Sequence, residues 1–164
     1  MRSSRLGYTL IELLVVIAIL AILFTVGITT YRNARWRAQV REGLATVAST
    51  LREARSTAQR FNISARVRFP SDRELILEAR DRTGTVHRSY TRKLPPYLSL
   101  DYSKNGSTWK PITDLGAVTY TAPFGETSAS ATILRVRHLR RSGTAACLRI
   151  VGVTGKVVVA RACP

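Results

Sequence analysis

Residues 13–31 carry no charged side chain. As a helix, residues 13–30 would rise about 27 Å, most of a ~30 Å hydrocarbon core. The pattern then changes. Trp36, Val40, Leu44, Val47, Leu51, Ala54, Ala58 and Phe61 recur every three or four residues, the spacing of one apolar helix stripe. Arg37, Arg41, Arg52 and Arg55 fall on a flank of that stripe, and no proline occurs before Pro70. The spacing therefore predicts one helix over residues 8–61, about 80 Å long at 1.5 Å per residue. Its first half is apolar all round and suits a membrane. Its second half is amphipathic and suits docking on a domain.

Beyond Asn62 the period falls to two. Ile63, Ala65, Val67 and Phe69 alternate with Ser64, Arg66 and Arg68, as in a half-buried strand. Pro70-Ser71-Asp72 reads as a turn, residues 74–79 as a second strand and residues 85–92 as a third. Further strands are expected at 97–102, 118–121, 132–137, 145–151 and 156–161, with turns at Arg141-Ser142-Gly143 and Thr154-Gly155. The fold class is α+β: a long N-terminal helix packed on a small, mainly antiparallel sheet domain. The expected division is a leader at 1–7, a transmembrane or filament-core helix at 8–31, an amphipathic helix at 32–62 and a β-rich domain at 63–164.

Charge sharpens this picture. The net charge is +16, and the last 38 residues hold seven basic side chains and no acidic one. Such a chain attracts polyanions, and Arg2 and Arg5 of the leader fit the cytoplasmic side of a span. A secretory signal peptide would place its small-residue cut after a shorter apolar run; here Gly7 precedes a longer one. A plain anchor explains the apolar run but not Glu12, since a lone carboxylate in lipid costs several kcal/mol unless compensated. The two cysteines, Cys147 and Cys163, form a disulfide if the domain lies outside the cytoplasm, which would contribute roughly 3 kcal/mol. Free thiols or half a metal site are the alternatives, though His87 and His138 lack ligand spacing to either cysteine.

Leu6-Gly7-Tyr8-Thr9-Leu10-Ile11-Glu12 and the apolar run after it resemble the class III signal of type IV pilin-like precursors. The resemblance implies cleavage after Gly7 by a prepilin peptidase and N-methylation of Tyr8. Glu12 would then meet the free amine of a neighbouring subunit's first residue and set the stagger of filament assembly. Tyr8 stands where that family usually has Phe, and no proline stands near Thr29 where many pilins have one. Downstream, Leu51, Ala54-Arg55, Ala58, Arg60, Leu94-Pro95-Pro96, the 118–125 stretch and Thr154-Gly155-Lys156 resemble the GspH/FimT family of minor pilins and type II secretion pseudopilins. That resemblance implies a non-catalytic subunit at the inner membrane, with a periplasmic or extracellular domain and other pilins or pseudopilins as partners.

Arg135, Arg137, Arg140 and Arg141, followed by Lys156 and Arg161, form the densest basic set, so DNA is a candidate partner through phosphate neutralisation. Some members of the FimT type bind DNA for uptake through Gly-Arg-x-Arg; here Gly155-Lys156-Val157-Val158 lacks the second basic residue. The commoner use of such a run is a solvated face or one meeting acidic neighbours. Trp109 is the expected exposed aromatic, whereas Trp36 and Phe124 are expected in the core. No nucleophile, paired carboxylates, phosphate loop or metal constellation stands out, so neither catalysis nor a cofactor is expected. The leading expectation is a minor pilin-like subunit of a type IV pilus. The alternatives are a type II secretion pseudopilin and a pilus-tip receptor for DNA uptake.

Overall fold

The computed structural model describes residues 9–160 and 162–164. They fall into two compact units, Met1–Arg35 and Trp36–Pro164, and helix α1 (Leu10–Phe61) contributes to both. In the first unit α1 carries no charge from residue 13 to 31, and an 18-residue window long and apolar enough to cross a membrane has none of its residues buried. Leu10, Leu14, Leu20 and Phe24 are all well exposed.

In the second unit the predicted stripe closes a core. Val40, Leu44, Val47, Leu51, Ala54 and Ala58 are all buried, Trp36 is half-buried, and the stripe's last member, Phe61, is exposed beyond the packing. Around them lie β1 (Ser64–Ser71), β2 (Glu74–Arg80), β3 (Val86–Lys93), β4 (Leu98–Ser103), β5 (Lys110–Pro111), β6 (Ala117–Thr121), β7 (Glu126–Thr127), β8 (Ile133–His138), β9 (Ala145–Val151) and β10 (Lys156–Val159). One 3-10 turn, Ile112–Leu115, sits between β5 and β6. The strands make two five-stranded sheets, ordered β3-β2-β1-β6-β7 and β10-β9-β8-β4-β5, with every described pairing antiparallel.

The alternation read from sequence fixes the faces. Ala65, Val67 and Phe69 of β1 turn inward with Leu75, Leu77 and Ala79 of β2, while Arg66, Arg68 and Glu78 turn outward. Leu98, Leu100, Leu134, Val136, Leu148 and Ile150 supply the second sheet's inner face. Gly43 lets α1 approach that sheet: a Cβ there would lie 2.5 Å from Leu98 Cδ1 and 3.3 Å from Val136 Cγ1. The contact offsets the ~1 kcal/mol that glycine costs inside a helix.

Several expectations are corrected. Pro70 and Ser71 belong to β1 rather than to a turn; the pairing register slips between Arg68 and Ser71, and a bulge tolerates a residue with no N–H to donate. The last strand stops at Val159. Strands β5 and β7, two residues each, are too short to carry a period. Phe124 is 69% exposed, not core. Its carbonyl accepts a hydrogen bond from Gln59 Nε2 at 2.9 Å, and Gly125, at φ 68°, lies so close to α1 that a Cβ would meet Arg55 Cγ at 2.9 Å. The backbone occupies the space against the helix and the ring faces solvent.

Candidate functional site

Gly7 and Tyr8 of the expected cut lie outside the described residues, as does Arg161. Glu12 lies within them and already has a task. Thr9 N–H and Thr9 Oγ1 both donate to Glu12 Oε2 at 2.9 Å, and Glu12 N–H donates to Thr9 Oγ1 at 3.3 Å. This reciprocal arrangement is a capping box, which satisfies backbone donors that a helix start leaves open. The Thr-x-x-Glu spacing at 9–12 is readable in the sequence and marks the start of α1, a signal the charge argument alone overlooked.

After Glu12 the described side chains up to Phe24 are apolar. Ile11, Leu13, Leu14, Val15 and Ile17 are between 51% and 70% exposed. Water does not tolerate a contiguous surface of this kind, so lipid or other apolar helices must cover it.

In unit 2, Cys147 and Cys163 are joined in a disulfide with Cα atoms 5.2 Å apart. It pins the C-terminal segment across the outer face of the second sheet, where the Pro164 ring lies against Gly106. Ile133 and Cys147, both on that outer face, are buried.

The basic set expected to act as one patch is divided. Arg135 and Arg137 do share a face, but both turn to the buried Asp101: Arg135 Nη2 lies 2.9 Å and Arg137 Nε 2.8 Å from Asp101 Oδ2. Arg135 also stacks on Trp109, its guanidinium carbon 4.0 Å from the ring centroid, so one face of that ring is taken. Arg141 sits 5.1 Å from the centroid of Trp36. Arg140, Arg149 and Lys156 are exposed and make no ion pair with the described residues.

His138 is buried between two rings, stacked on Tyr97 at 5.5 Å and tilted against Trp36 at 6.2 Å. Its Nδ1 accepts the Arg140 N–H at 3.2 Å. Burial, then the Arg140 charge, lowers its pKa from the usual imidazole value, so the ring is neutral at neutral pH and holds the β8–β9 turn in place.

The sequence reading missed a second ionic cluster. Glu78 lies beneath Arg66, Arg68 and Arg80, at 2.7, 3.1 and 2.9 Å. Burial alone would raise its pKa, but the hydrogen bonds from Arg80, Arg66 and Arg68 outweigh it and hold the carboxyl at about 2. The signal was available: Arg66 and Arg68 alternate outward on β1, and Glu78 pairs directly with Arg66.

Residues 2–28 match the prokaryotic N-terminal methylation motif. The fold is similar to that of the type IV minor pilin FimU of Pseudomonas aeruginosa: TM-score 0.57 at 11% identity, covering 78% of this chain and 97% of that one. The fold is type IV pilin-like. It is equally similar to the minor pseudopilin EpsH from the type II secretion system of Vibrio cholerae, with TM-score 0.57, 12% identity, and coverage of 75% of this chain and 94% of that one. No curated protein matches it in sequence. The structural similarity thus spans about three quarters of the chain, and the motif lies within its first 28 residues.

Proposed function

We propose that this chain is a minor pilin-like subunit of a type IV pilus. Residues 8–31 insert it in the inner membrane, a prepilin peptidase cuts after Gly7, the Tyr8 amine is methylated, and the mature subunit enters a filament with other pilins. Its work is assembly and surface presentation rather than catalysis. The observation that carries this reading is the methylation motif at 2–28 continuing into an apolar helix with a single carboxylate in its first turn. The pseudopilin reading keeps every step and changes only the host filament; the equal similarity to EpsH supports it. DNA contact is the weaker reading, because Asp101 takes two of the arginines that would carry it.

Glu12 has two candidate tasks: capping its own helix, or compensating a neighbour's terminal amine. Glutamine also completes a capping box but carries no charge, so two variants separate them. Charge pairing predicts that Glu12→Gln and Glu12→Ala both insert normally and both lose filament incorporation, read by immunoblot of sheared filaments. Normal incorporation of Glu12→Gln with failure of Glu12→Ala would assign Glu12 to the cap alone. Normal incorporation of both would remove the assembly role.

A further inference from the structure

The start of unit 2 carries a basic and aromatic cluster that the proposed assembly steps do not draw on. Arg37 and Arg41 of α1 line one wall of an open groove of about 520 Å³. Val40 and Leu44 give it apolar lining, and Gly143 and Thr144, in the β8–β9 turn, line it as well. The same turn presents Leu139, 47% exposed, followed by the exposed Arg140 and Arg141. None of these four arginines makes an ion pair with the described residues, and no acidic side chain lines the groove. Glu42, the one carboxylate between Trp36 and Leu44, is exposed and outside that lining. The turn is held to α1 through Trp36, His138 and Tyr97, and Leu139 N–H donates to Tyr97 O at 2.9 Å.

Two things identify the occupant. One is composition: a tryptophan, an exposed leucine and unpaired arginines beside a partly apolar groove are the residues that settle at a membrane–water interface. The other is chain length. Arg37 follows Tyr31, the end of the uncharged run, by six residues, a stretch that cannot exceed about 22 Å and is far shorter as helix. A domain tethered so closely to a bilayer meets its phosphates before any soluble polyanion.

We propose that the groove between Arg37, Arg41 and the β8–β9 turn binds the phosphate of an anionic phospholipid headgroup. This steadies the domain on the membrane before the subunit is withdrawn into a filament. The inference rests on the membrane-inserted stage proposed above. Each arginine near an anionic surface should contribute about a fivefold preference for it. Removing the groove pair should therefore weaken the preference about 25-fold, and removing all four further still.

The test uses the full chain in lipid nanodiscs of phosphatidylcholine alone or mixed with phosphatidylglycerol, read by hydrogen exchange of residues 138–146. The proposal predicts slower exchange in the anionic discs, reversed by salt and by Arg37→Gln with Arg41→Gln. Exchange of β8 and β9 in the neutral discs reports whether the variant remains folded. Identical exchange in both lipids would overturn the headgroup site while leaving the membrane stage intact. Failure of the chain to enter discs would overturn both. A duplex DNA that slows exchange of the turn in neutral discs, and does so more than phosphatidylglycerol, would assign the cluster to nucleic acid instead. A variant that keeps the wild-type lipid response would show that other groups produce it.

Discussion

The two halves of α1 solve the same problem in opposite ways. In unit 2 the helix satisfies itself: Val47, Leu51, Ala54 and Ala58 are fully buried against the chain's own sheets. In unit 1 the helix is more apolar, yet Leu20, Ile22, Leu23 and Phe24 are between 58% and 69% exposed. One half draws its hydrophobic stabilisation from within the chain. The other must find it outside, first in lipid and later, on the proposed reading, among neighbouring helices. Polar groups follow the same division. Glu78 and Asp101 of unit 2 gather arginines from adjacent strands, whereas among the described residues Glu12 is held by Thr9 beside its own first turn.

The sharpest way to break this comparison is to truncate one leucine in each half. Leu51→Ala removes a side chain with 0% exposure and should destabilise unit 2 by about 2–5 kcal/mol. Leu20→Ala, at a site 58% exposed, should leave the unfolding of unit 2 unchanged and weaken only partition into lipid. Urea unfolding of the full chain in micelles, followed by Trp36 and Trp109 fluorescence, checks both. An equal loss from the two changes would mean that the halves are not independent.

Next in size is the covalent tie. Replacing Cys147 and Cys163 by Ser frees the segment that closes the outer face of the second sheet. On the chain-entropy estimate for a loop of this length it should cost about 3 kcal/mol. The same urea experiment measures it, and mass spectrometry of the unreduced, alkylated chain confirms the bond beforehand. Membrane insertion should be untouched, because nothing in unit 1 depends on it.

How much of this was legible follows from where the physics acts. Period and composition determine both halves of α1, and the inward positions of β1, β2, β8 and β9 follow from period two. The Cys147–Cys163 pairing was open as one of three outcomes until the fold brought β9 and the C-terminal segment together. The pairing of the basic residues was not legible, because sequence shows charge but not register. Arg135 and Arg137 look like a free patch until β4 is placed beside β8, which sets Asp101 opposite Arg135. Phe124 was misplaced for a related reason: a tight backbone approach at Gly125 decides where the ring goes, and hydropathy does not report it.

A smaller and pH-dependent effect tests whether unit 2 holds its charges internally. Glu78 titrates near 2 instead of its ordinary 4.5. Because the folded pKa is the lower one, its contribution is fully present above about 4.5 and disappears as pH falls towards about 2. The arginines are themselves 32–46% exposed, so screening reduces the contribution to about 1–2 kcal/mol. Asp81 is also held at about 2, first by the Thr83 hydroxyl, so its contribution fades as pH falls from about 3.8 towards about 2. The measurement is therefore the difference between wild type and Glu78→Gln across pH 2–5. That difference should shrink with falling pH, and a flat difference would assign the cost of the variant to packing alone.

The smallest effect marks the boundary of the argument. Arg92 Nη2 lies 3.1 Å from Glu53 Oε2, tying edge strand β3 to α1, but both side chains are 38% exposed. An exposed pair of this kind is worth about 0–1 kcal/mol and is screened by salt. Glu53→Gln should thus shift the urea midpoint slightly at low ionic strength and not at all at high. A loss as large as that of Glu78→Gln would mean that solvent does not screen this edge as its exposure implies. Some other surface would then cover β3 in the folded protein, and unit 2 would, like unit 1, depend on something outside the chain.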